Sequence, residues 1–247
     1  MKFLGIIPAR YASTRFPGKP LVDIGGKPMI QRVYEQAQTT VDKLVVATDD
    51  ERIAEVVHHF GGCVLLTSRE HHSGTDRCYE AFLKTGMNFD VVINIQGDEP
   101  FIQPEQIALL KRCFSEADTQ IATLAKPFDK DGNFEQTLFN TNIPKVVINN
   151  RSEAMYFSRS VIPFMRGIEN PEWIEKHTFY KHIGLYAYRS DILKEITALP
   201  QSSLELAESL EQLRWLQNGY KIKVAITNQE TIGIDTPEDL KKAIGLG

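Results

Sequence analysis

Short runs of Val, Ile and Leu recur through the first half of the chain, and each is followed by a segment with helical spacing. FLGIIPA (3–9), KLVVAT (43–48), CVLLT (63–67), VVINIQ (91–96) and QIATLA (120–125) are too short and too rich in strand-forming residues for helices. Between them, PMIQRVYEQAQ (28–38), DERIAEVVHHF (50–60), TDRCYEAFLKTG (75–86) and PEQIALLKRCF (104–114) repeat apolar residues at helical spacing. Ile53, Val56, Val57 and Phe60 form one such stripe, and Pro104 suits a first helical position. The alternation predicts an α/β fold with a mostly parallel, Rossmann-like doubly wound sheet. Ligands of such sheets collect beyond the carboxyl ends of the strands, so the loops there are the first place to look for chemistry.

From about residue 128 the rhythm changes. KVVIN (145–149), AMYFS (154–158) and HIGLYAYRS (182–190) read as strands with little helix between them, and 159–180 is rich in Pro, Arg and aromatic residues. This predicts an antiparallel β insertion, residues 128–208, forming a lid or a dimer surface. The α/β domain would comprise 1–127 and 209–247. A helix at SLEQLRWLQNG (209–219), a strand at KIKVAIT (221–227) and a helix at TPEDLKKAIG (236–245) complete it. Thr236, Pro237 and Asp239 supply the N-cap, first-position proline and following carboxylate of the last helix.

A chain of 247 residues, 42% hydrophobic, can bury a full core. Its net charge of -4 argues against a broad nucleic-acid surface. Positive charge is instead local: Lys2, Arg10, Arg15, Lys19, Lys27 and Arg32 face only Asp23 in the opening segment. Cys63, Cys78 and Cys113 form no CxxC pair, which points away from a disulfide framework and a cysteine zinc site. The apolar stretch after Lys2 stops at Pro8 and Arg10, and no run approaches the ~18 to 20 residues of a membrane span. The expectation is a soluble, unprocessed cytoplasmic protein with neither nucleic acid nor membrane as partner.

Neither a GxxxxGK[ST] loop nor a GxGxxG turn follows the first strand, which disfavours P-loop and standard NAD chemistry. The strand leads instead into IIPARYASTRFPGKPL (6–21), where Pro8, Pro17, Gly18 and Pro20 stiffen a loop carrying Arg10, Arg15 and Lys19. Amides of residues 9 to 14 can meet a phosphate while Arg15 and Lys19 neutralise the rest of a triphosphate; solvated loop cations are the alternative. In NIQGDEPF (94–101), Gly97 permits a tight turn and Asp98 and Glu99 emerge together. Carboxylates placed there, Asp98 above all, can hold Mg²⁺ together with phosphate oxygens and waters, unless the segment is only a turn with an acidic helix start. Asp235 in GIDTPEDL follows the strand-like TIGID and can share that metal if the strands are neighbours, or can serve a helix dipole.

Three further groups stand out. HSGTDR (72–77) places Ser73, Thr75 and Arg77 at a helix start, suited to a base or ribose, though capping explains Ser73 or Thr75 as well. On KHIGLYAY (181–188), His182, Gly184 and Tyr186 share one strand face, for ligand contact or for ordinary sheet hydrogen bonding. His58, His59, His71 and His72 read as surface histidines rather than a zinc cluster.

Taken in order, IIPARYASTRFPGKPL, SGTDR, NIQGDEPF, KHIGLYAYR, LEQLR and GIDTPEDL closely resemble the 3-deoxy-manno-octulosonate cytidylyltransferases, across about residues 3 to 243. The resemblance implies a nucleotidyltransferase-type fold and a homodimer. Its activity would be transfer of CMP from CTP to the anomeric hydroxyl of an acidic eight-carbon sugar, releasing pyrophosphate, for lipopolysaccharide. It implies CTP contacts at Pro8, Ala9, Arg10, Ser13, Arg15, Lys19, Ser73, Arg77, Gln96 and Asp98, with Arg10, Arg15, Lys19, Asp98 and Asp235 in the chemistry. Mg²⁺ would sit at Asp98 and Asp235, and the sugar near His182, Tyr186, Glu211 and Gln212. The sugar implied is 3-deoxy-D-manno-octulosonate, with its 8-amino analogue or sialic acid as alternatives; residues 126–144 and 163–178, where lid contacts and recognition of the sugar tail would fall, depart from the family pattern. A hexose 1-phosphate enzyme would open with GxGTRLxPxT, which is absent; a silent CTP-binding regulator would lack residues that are present here.

Overall fold

A computed structural model of the chain describes residues 1–12, 16–130, 134–230, 233–234 and 236–245. In chain order the elements begin β1 (Phe3–Ala9), α1 (Met29–Ala37), β2 (Lys43–Thr48), α2 (Glu51–His59), β3 (Val64–Leu66), α3 (Gly74–Lys84), β4 (Val91–Asn94) and α4 (Pro104–Cys113). They continue with β5 (Ile121–Pro127), α5 (Phe134–Leu138), β6 (Lys145–Ile148), β7 (Ala154–Ser158), α6 (Trp173–Lys176) and β8 (Tyr180–Arg189). The last are α7 (Ser190–Thr197), α8 (Ser203–Glu208), α9 (Gln212–Gln217), β9 (Ile222–Ile226) and α10 (Pro237–Ile244). Two compact units result: Met1–Lys111 with Leu185–Thr197 and Thr231–Gly247, and Arg112–Gly184 with Ala198–Glu230.

In the first unit the strand order is β3-β2-β1-β4-β8. β1 lies between β2 and β4 and is parallel to both, with Leu4 opposite Lys43, Ala9 opposite Thr48 and Ile6 opposite Asn94. β3 continues the parallel order beside β2, whereas Tyr186 to Arg189 of β8 run antiparallel to β4. Leu4, Ile6, Ile7, Val46, Val92 and Ile93 are wholly buried, which is why these strands read as continuous apolar runs rather than alternating ones. α1 buries Met29, Ile30, Val33 and Ala37, and α2 buries Ile53 and Val57 of the expected stripe and Ala54 beside them, while Val56 and Phe60 are half-buried. Because β1, β2 and β4 point the same way, the loops after all three open on one edge.

In the second unit β5 lies between β8 and β9 and is parallel to β9 over Ile121 to Ala125. β6 and β7 form the expected antiparallel pair, with Lys145 of β6 also opposite Lys181 of β8. The boundaries expected at 128 and 208 fall inside this unit, because the β5–β9 pairing draws both flanks into it. The 128–208 stretch also carries more helix than its sequence suggests. α5, α6, α7 and α8 are four to eight residues long, too short to show several turns of periodicity. Phe128, Leu138, Trp173, Ile174 and Phe179 build a small core, where Trp173 stacks on Phe179 at 6.0 Å and donates from Nε1 to the Ile168 carbonyl at 2.8 Å.

Lys145 is fully buried in this unit, and its Nζ donates to the carbonyls of Asn140 at 2.7 Å and Arg159 at 2.9 Å. Burial, then the nearby Arg159 charge, lowers its ammonium from 10.5 to about 8 against the pull of Glu208. Between those values the unfolded chain holds a proton that the folded chain has released, so this lysine makes stability rise with pH there. Lys145→Met is expected to remove that rise, read as the difference between the two proteins in denaturant unfolding from pH 8 to pH 10.5. Parallel curves would show that the buried amine does not titrate in that window.

Candidate active site

The first unit carries one cleft at the edge where β1, β2 and β4 end, and it is built from four segments. Pro8, Ala9 and Arg10 come from the end of β1, Lys19 and Pro20 from a 3-10 turn over Lys19–Leu21, and Gln96 to Asp98 from the segment after β4. The fourth segment, His71 to Gly74 with Arg77, is the start of α3 and the loop before it.

Gly18 starts the turn at φ 72°, a left-handed conformation that a side chain would strain. That turn brings Lys19 inward, where its Nζ donates to Asp98 Oδ2 at 2.7 Å. The two side chains are 14% and 32% exposed, so their attraction is only partly screened by water. A small core beneath them joins the segments: Ile24, Met29 and Ile234 are buried against Phe16, Phe101 and Leu240. Ile234 also donates its amide to the Asp98 carbonyl at 2.9 Å.

Gly97 is needed for close approach. A Cβ there would stand 2.9 Å from the Pro8 carbonyl oxygen, a backbone atom that cannot swing aside. Gly97→Ala is therefore expected to push apart the segments bearing Arg10 and Asp98, at a cost of about 1–3 kcal/mol in stability. Unfolding midpoints together with CTP affinity test this, and an alanine variant that matches the native protein in both would show that the segments have room to spare.

The start of α3 is set by Ser73, whose side chain accepts from the Asp76 amide at 3.1 Å, so the capping reading of Ser73 holds while the residue also lines the cleft. Thr75 is buried inside the helix. Arg77 is 4% exposed and is held by Thr67 Oγ1 at 2.6 Å and Asp49 Oδ2 at 2.9 Å. His71 departs from the surface reading: it is half-buried, lines the cleft and pairs through Nε2 with Glu80. Burial acts to raise Glu80, but hydrogen bonds from Lys84, the Ser68 amide and His71 outweigh it and hold the carboxyl down to about 2. His58, His59 and His72 are exposed as expected.

Beside Asp98, Glu99 has one carboxyl oxygen sealed from solvent with no hydrogen-bond partner among the described residues. Burial, and then the Asp98 charge, pushes it up to about 8, so Glu99 is mostly neutral at pH 7. Among the described residues no group of three His, Cys, Asp or Glu side chains could by itself hold a metal ion. The donor set nonetheless fits a hard cation of the Mg²⁺ type, which is commonly bound by one or two carboxylates plus phosphate oxygens and water.

Eight sequence-predicted residues thus meet in one cleft: Pro8, Ala9, Arg10, Lys19, Ser73, Arg77, Gln96 and Asp98. Ser13, Arg15 and Asp235 lie outside the described residues, as do Thr231 and Ile232 of TIGID, while Gly233 and Ile234 belong to no strand. His182, Tyr186, Glu211 and Gln212 do not line this cleft. In the first unit Tyr186 is buried opposite Asn94 and stacked on Tyr188 at 6.0 Å. In the second unit His182 Nε2 hydrogen-bonds with Thr123 Oγ1 at 3.1 Å and meets Phe157 edge-on at 5.0 Å, and burial lowers its imidazole to about 3, so it is neutral. Gln212 is buried there with its Nε2 unpartnered among the described residues, and Glu211 stands 4.0 Å from Arg214. Sequence reading missed Asp49 and Thr67, whose hold on Arg77 depends on strand order, and Glu80, whose only local signal was Lys84 one helical turn on.

Comparison with known proteins agrees with this architecture. Residues 4–223 match the family described as Cytidylyltransferase. A 3-deoxy-manno-octulosonate cytidylyltransferase of Parabacteroides distasonis is 70% identical over 244 residues, covering 99% of this chain and 97% of the relative. One of the same name from Bacteroides thetaiotaomicron is 67% identical over 243 residues, covering 98% and 97%. A solved structure described as CMP:2-keto-3-deoxy-manno-octonic acid synthetase complexed with CTP superposes with a TM-score of 0.90 at 43% identity, covering 100% of this chain and 98% of that one. With the mixed α/β sheet and a cleft lined by the predicted motifs already in place, the chain belongs to the cytidylyltransferase family, among the 3-deoxy-manno-octulosonate cytidylyltransferases.

Proposed function

We propose that this protein transfers CMP from CTP to the anomeric hydroxyl of 3-deoxy-D-manno-octulosonate, giving CMP-3-deoxy-D-manno-octulosonate and pyrophosphate for lipopolysaccharide synthesis. The observation that carries the reading is the cleft itself, lined at the ends of β1 and β4 by the cations Arg10 and Lys19 together with Asp98, the carboxylate that Lys19 pairs with. The relatives named above are 3-deoxy-manno-octulosonate cytidylyltransferases by name, which supports the reading.

In this reading the first unit binds the nucleotide. Ser73, Arg77 and Gln96 serve the cytidine, with Arg77 kept rigid by Asp49 and Thr67. Pro8 shapes the path of the loop, the amides of Ala9 and Ser13 serve the phosphates, and Arg10, Arg15 and Lys19 offset the negative charge that builds on the leaving pyrophosphate. Asp98 and Asp235 hold the Mg²⁺; the Ile234 amide bonded to the Asp98 carbonyl supports that pairing, since it joins the two segments. A bound Mg²⁺ neutralises phosphate charge and lowers the pKa of a coordinated hydroxyl. His182, Tyr186, Glu211 and Gln212 are assigned to the sugar, an assignment supported by the neutral imidazole of His182 and by Gln212 Nε2, buried with no partner among the described residues. No side chain is assigned as general base. Holding the hydroxyl in line with the leaving group supplies most of what this chemistry needs.

The test is pyrophosphate release from CTP and Mg²⁺ with 3-deoxy-D-manno-octulosonate, its 8-amino analogue, sialic acid and hexose 1-phosphates. Turnover chiefly with the first sugar is expected. Preference for another acidic sugar would keep the mechanism and change the substrate, and CTP binding without any release would leave a silent regulator. No helix among the described residues is long and apolar enough to cross a membrane. A cytoplasmic homodimer is proposed with the activity, and light scattering that gave only a 28.0 kDa particle would remove the dimer.

A further inference from the structure

The loop bearing Arg10 and Lys19 is tied to the start of α2 by side chains that do not line the cleft. The Gly18 amide donates to the Tyr11 carbonyl at 2.9 Å, closing the loop on itself. The space that a Gly18 side chain would need is filled by the Tyr11 ring at 3.2 Å. The Arg52 guanidinium lies 3.3 Å from the centroid of that same ring. Arg52 is gripped by Asp50, through Nε at 2.9 Å and Nη2 at 2.7 Å, and Asp50 caps α2 by accepting the Arg52 amide at 3.0 Å. The result is a chain of contacts, Asp50 to Arg52 to Tyr11 to Gly18, from a helix start to a loop.

An exposed Arg–Asp pair contributes little by itself, and the Arg52 side chain is 58% exposed. Its geometry is nevertheless specific. A planar guanidinium held flat by a carboxylate is suited to stacking on an aromatic ring, and such stacks contribute even at exposed sites. Arg10 directly precedes Tyr11 and Lys19 directly follows Gly18, so whatever fixes the Tyr11–Gly18 contact fixes where both cations leave the loop.

We infer that Tyr11 and Arg52 are positioning residues for the triphosphate cations, acting through the loop without touching substrate. The inference rests on the nucleotidyl-transfer reading above, and it predicts that removing the brace weakens the capture of CTP while the fold persists.

The experiment compares Arg52→Ala, Tyr11→Leu and Tyr11→Phe with the native chain in two assays. These are initial rates of pyrophosphate release against CTP concentration, and hydrogen exchange at the Gly18 amide. Arg52→Ala and Tyr11→Leu are expected to raise KM for CTP by roughly threefold to tenfold and to speed Gly18 exchange, with little change in unfolding midpoint for Arg52→Ala. Tyr11→Phe keeps the ring and should behave like the native protein. Native KM and native exchange in Arg52→Ala and Tyr11→Leu would overturn the inference. So would equal losses in Tyr11→Phe and Tyr11→Leu, because the ring face would then be irrelevant. If the native chain releases no pyrophosphate at all, the functional reading fails by itself, and the brace is still decided by Gly18 exchange in Arg52→Ala.

Discussion

Asp98→Asn is expected to lower kcat for pyrophosphate release by about 10²-fold or more while leaving the protein folded. The replacement is nearly isosteric, the side chain is 32% exposed, and the new amide oxygen can still accept from Lys19. What disappears is the negative charge paired with Lys19, and with it one of the two anionic ligands proposed for a divalent cation. Two roles for Asp98 therefore separate cleanly. If Asp98 only neutralised Lys19, its loss would tighten CTP binding and spare kcat; if it anchors the metal, kcat falls and CTP binding loses its dependence on Mg²⁺. Steady-state rates across a Mg²⁺ titration, with calorimetry of CTP binding beside them, distinguish these outcomes. A variant with native kcat would sink the metal assignment.

The second large effect lies in the second unit. Arg214 and Glu205 form a bidentate ion pair, Nε to Oε2 at 2.7 Å and Nη2 to Oε1 at 2.5 Å, with both residues buried. Ser202 completes a capping box with Glu205 at the start of α8, so the pair also fixes how α8 meets α9. Arg214→Met would leave a carboxylate in the interior with no cation beside it, supported only by the Ser202 amide and the Gln201 side chain, at a cost of about 3–5 kcal/mol. For a chain of this size that is a fall in Tm of about 10 °C or more.

The pH dependence follows from Glu205. Burial acts to raise its pKa, but the Arg214 and Ser202 hydrogen bonds win and hold the carboxyl below 4.5 in the native fold. The native pair therefore stabilises fully above pH 4.5 and loses that contribution as the pH falls. In the variant burial acts with no cation to oppose it, so the carboxyl protonates more readily and the deficit shrinks toward acid. Thermal unfolding of both proteins at pH 7 and pH 4 checks the sign, and a deficit that stayed constant would point to lost packing rather than to the stranded charge.

Much of the cleft was legible because its chemistry is local. Gly18 before Lys19, Gly97 before Asp98 and Ser73 before Arg77 are turn and cap residues that put a cleft-lining side chain at a strand end or a helix start, and the structure uses each in that way. Segments with several turns of periodicity were equally plain: α1, α2, α3 and α4 lie within two residues of the ranges expected at each end. The short helices were not. SDILKEIT in α7 buries Ile192, Leu193 and Ile196, a stripe that eight residues cannot distinguish from a strand or a turn. His71 was misjudged for a related reason: a histidine in a polar loop looks solvated until the Glu80 that faces it is known.

By itself, then, the sequence determined the α/β alternation, the stiffened loop after β1, the turns that present Arg10, Lys19 and Asp98, and the family to which these motifs belong. Those features follow from backbone preference and from side chains within a few positions of one another. Only the tertiary structure decided which strand ends became neighbours. Lys19 reaches Asp98, 79 residues away, because β1 lies beside β4. Arg77 is gripped by Asp49 because β2 lies on the other side of β1, and β9 falls beside β5 rather than among the strands of the first unit. Strand order is chosen by burial of whole faces across long loops, a choice no local stretch of residues encodes.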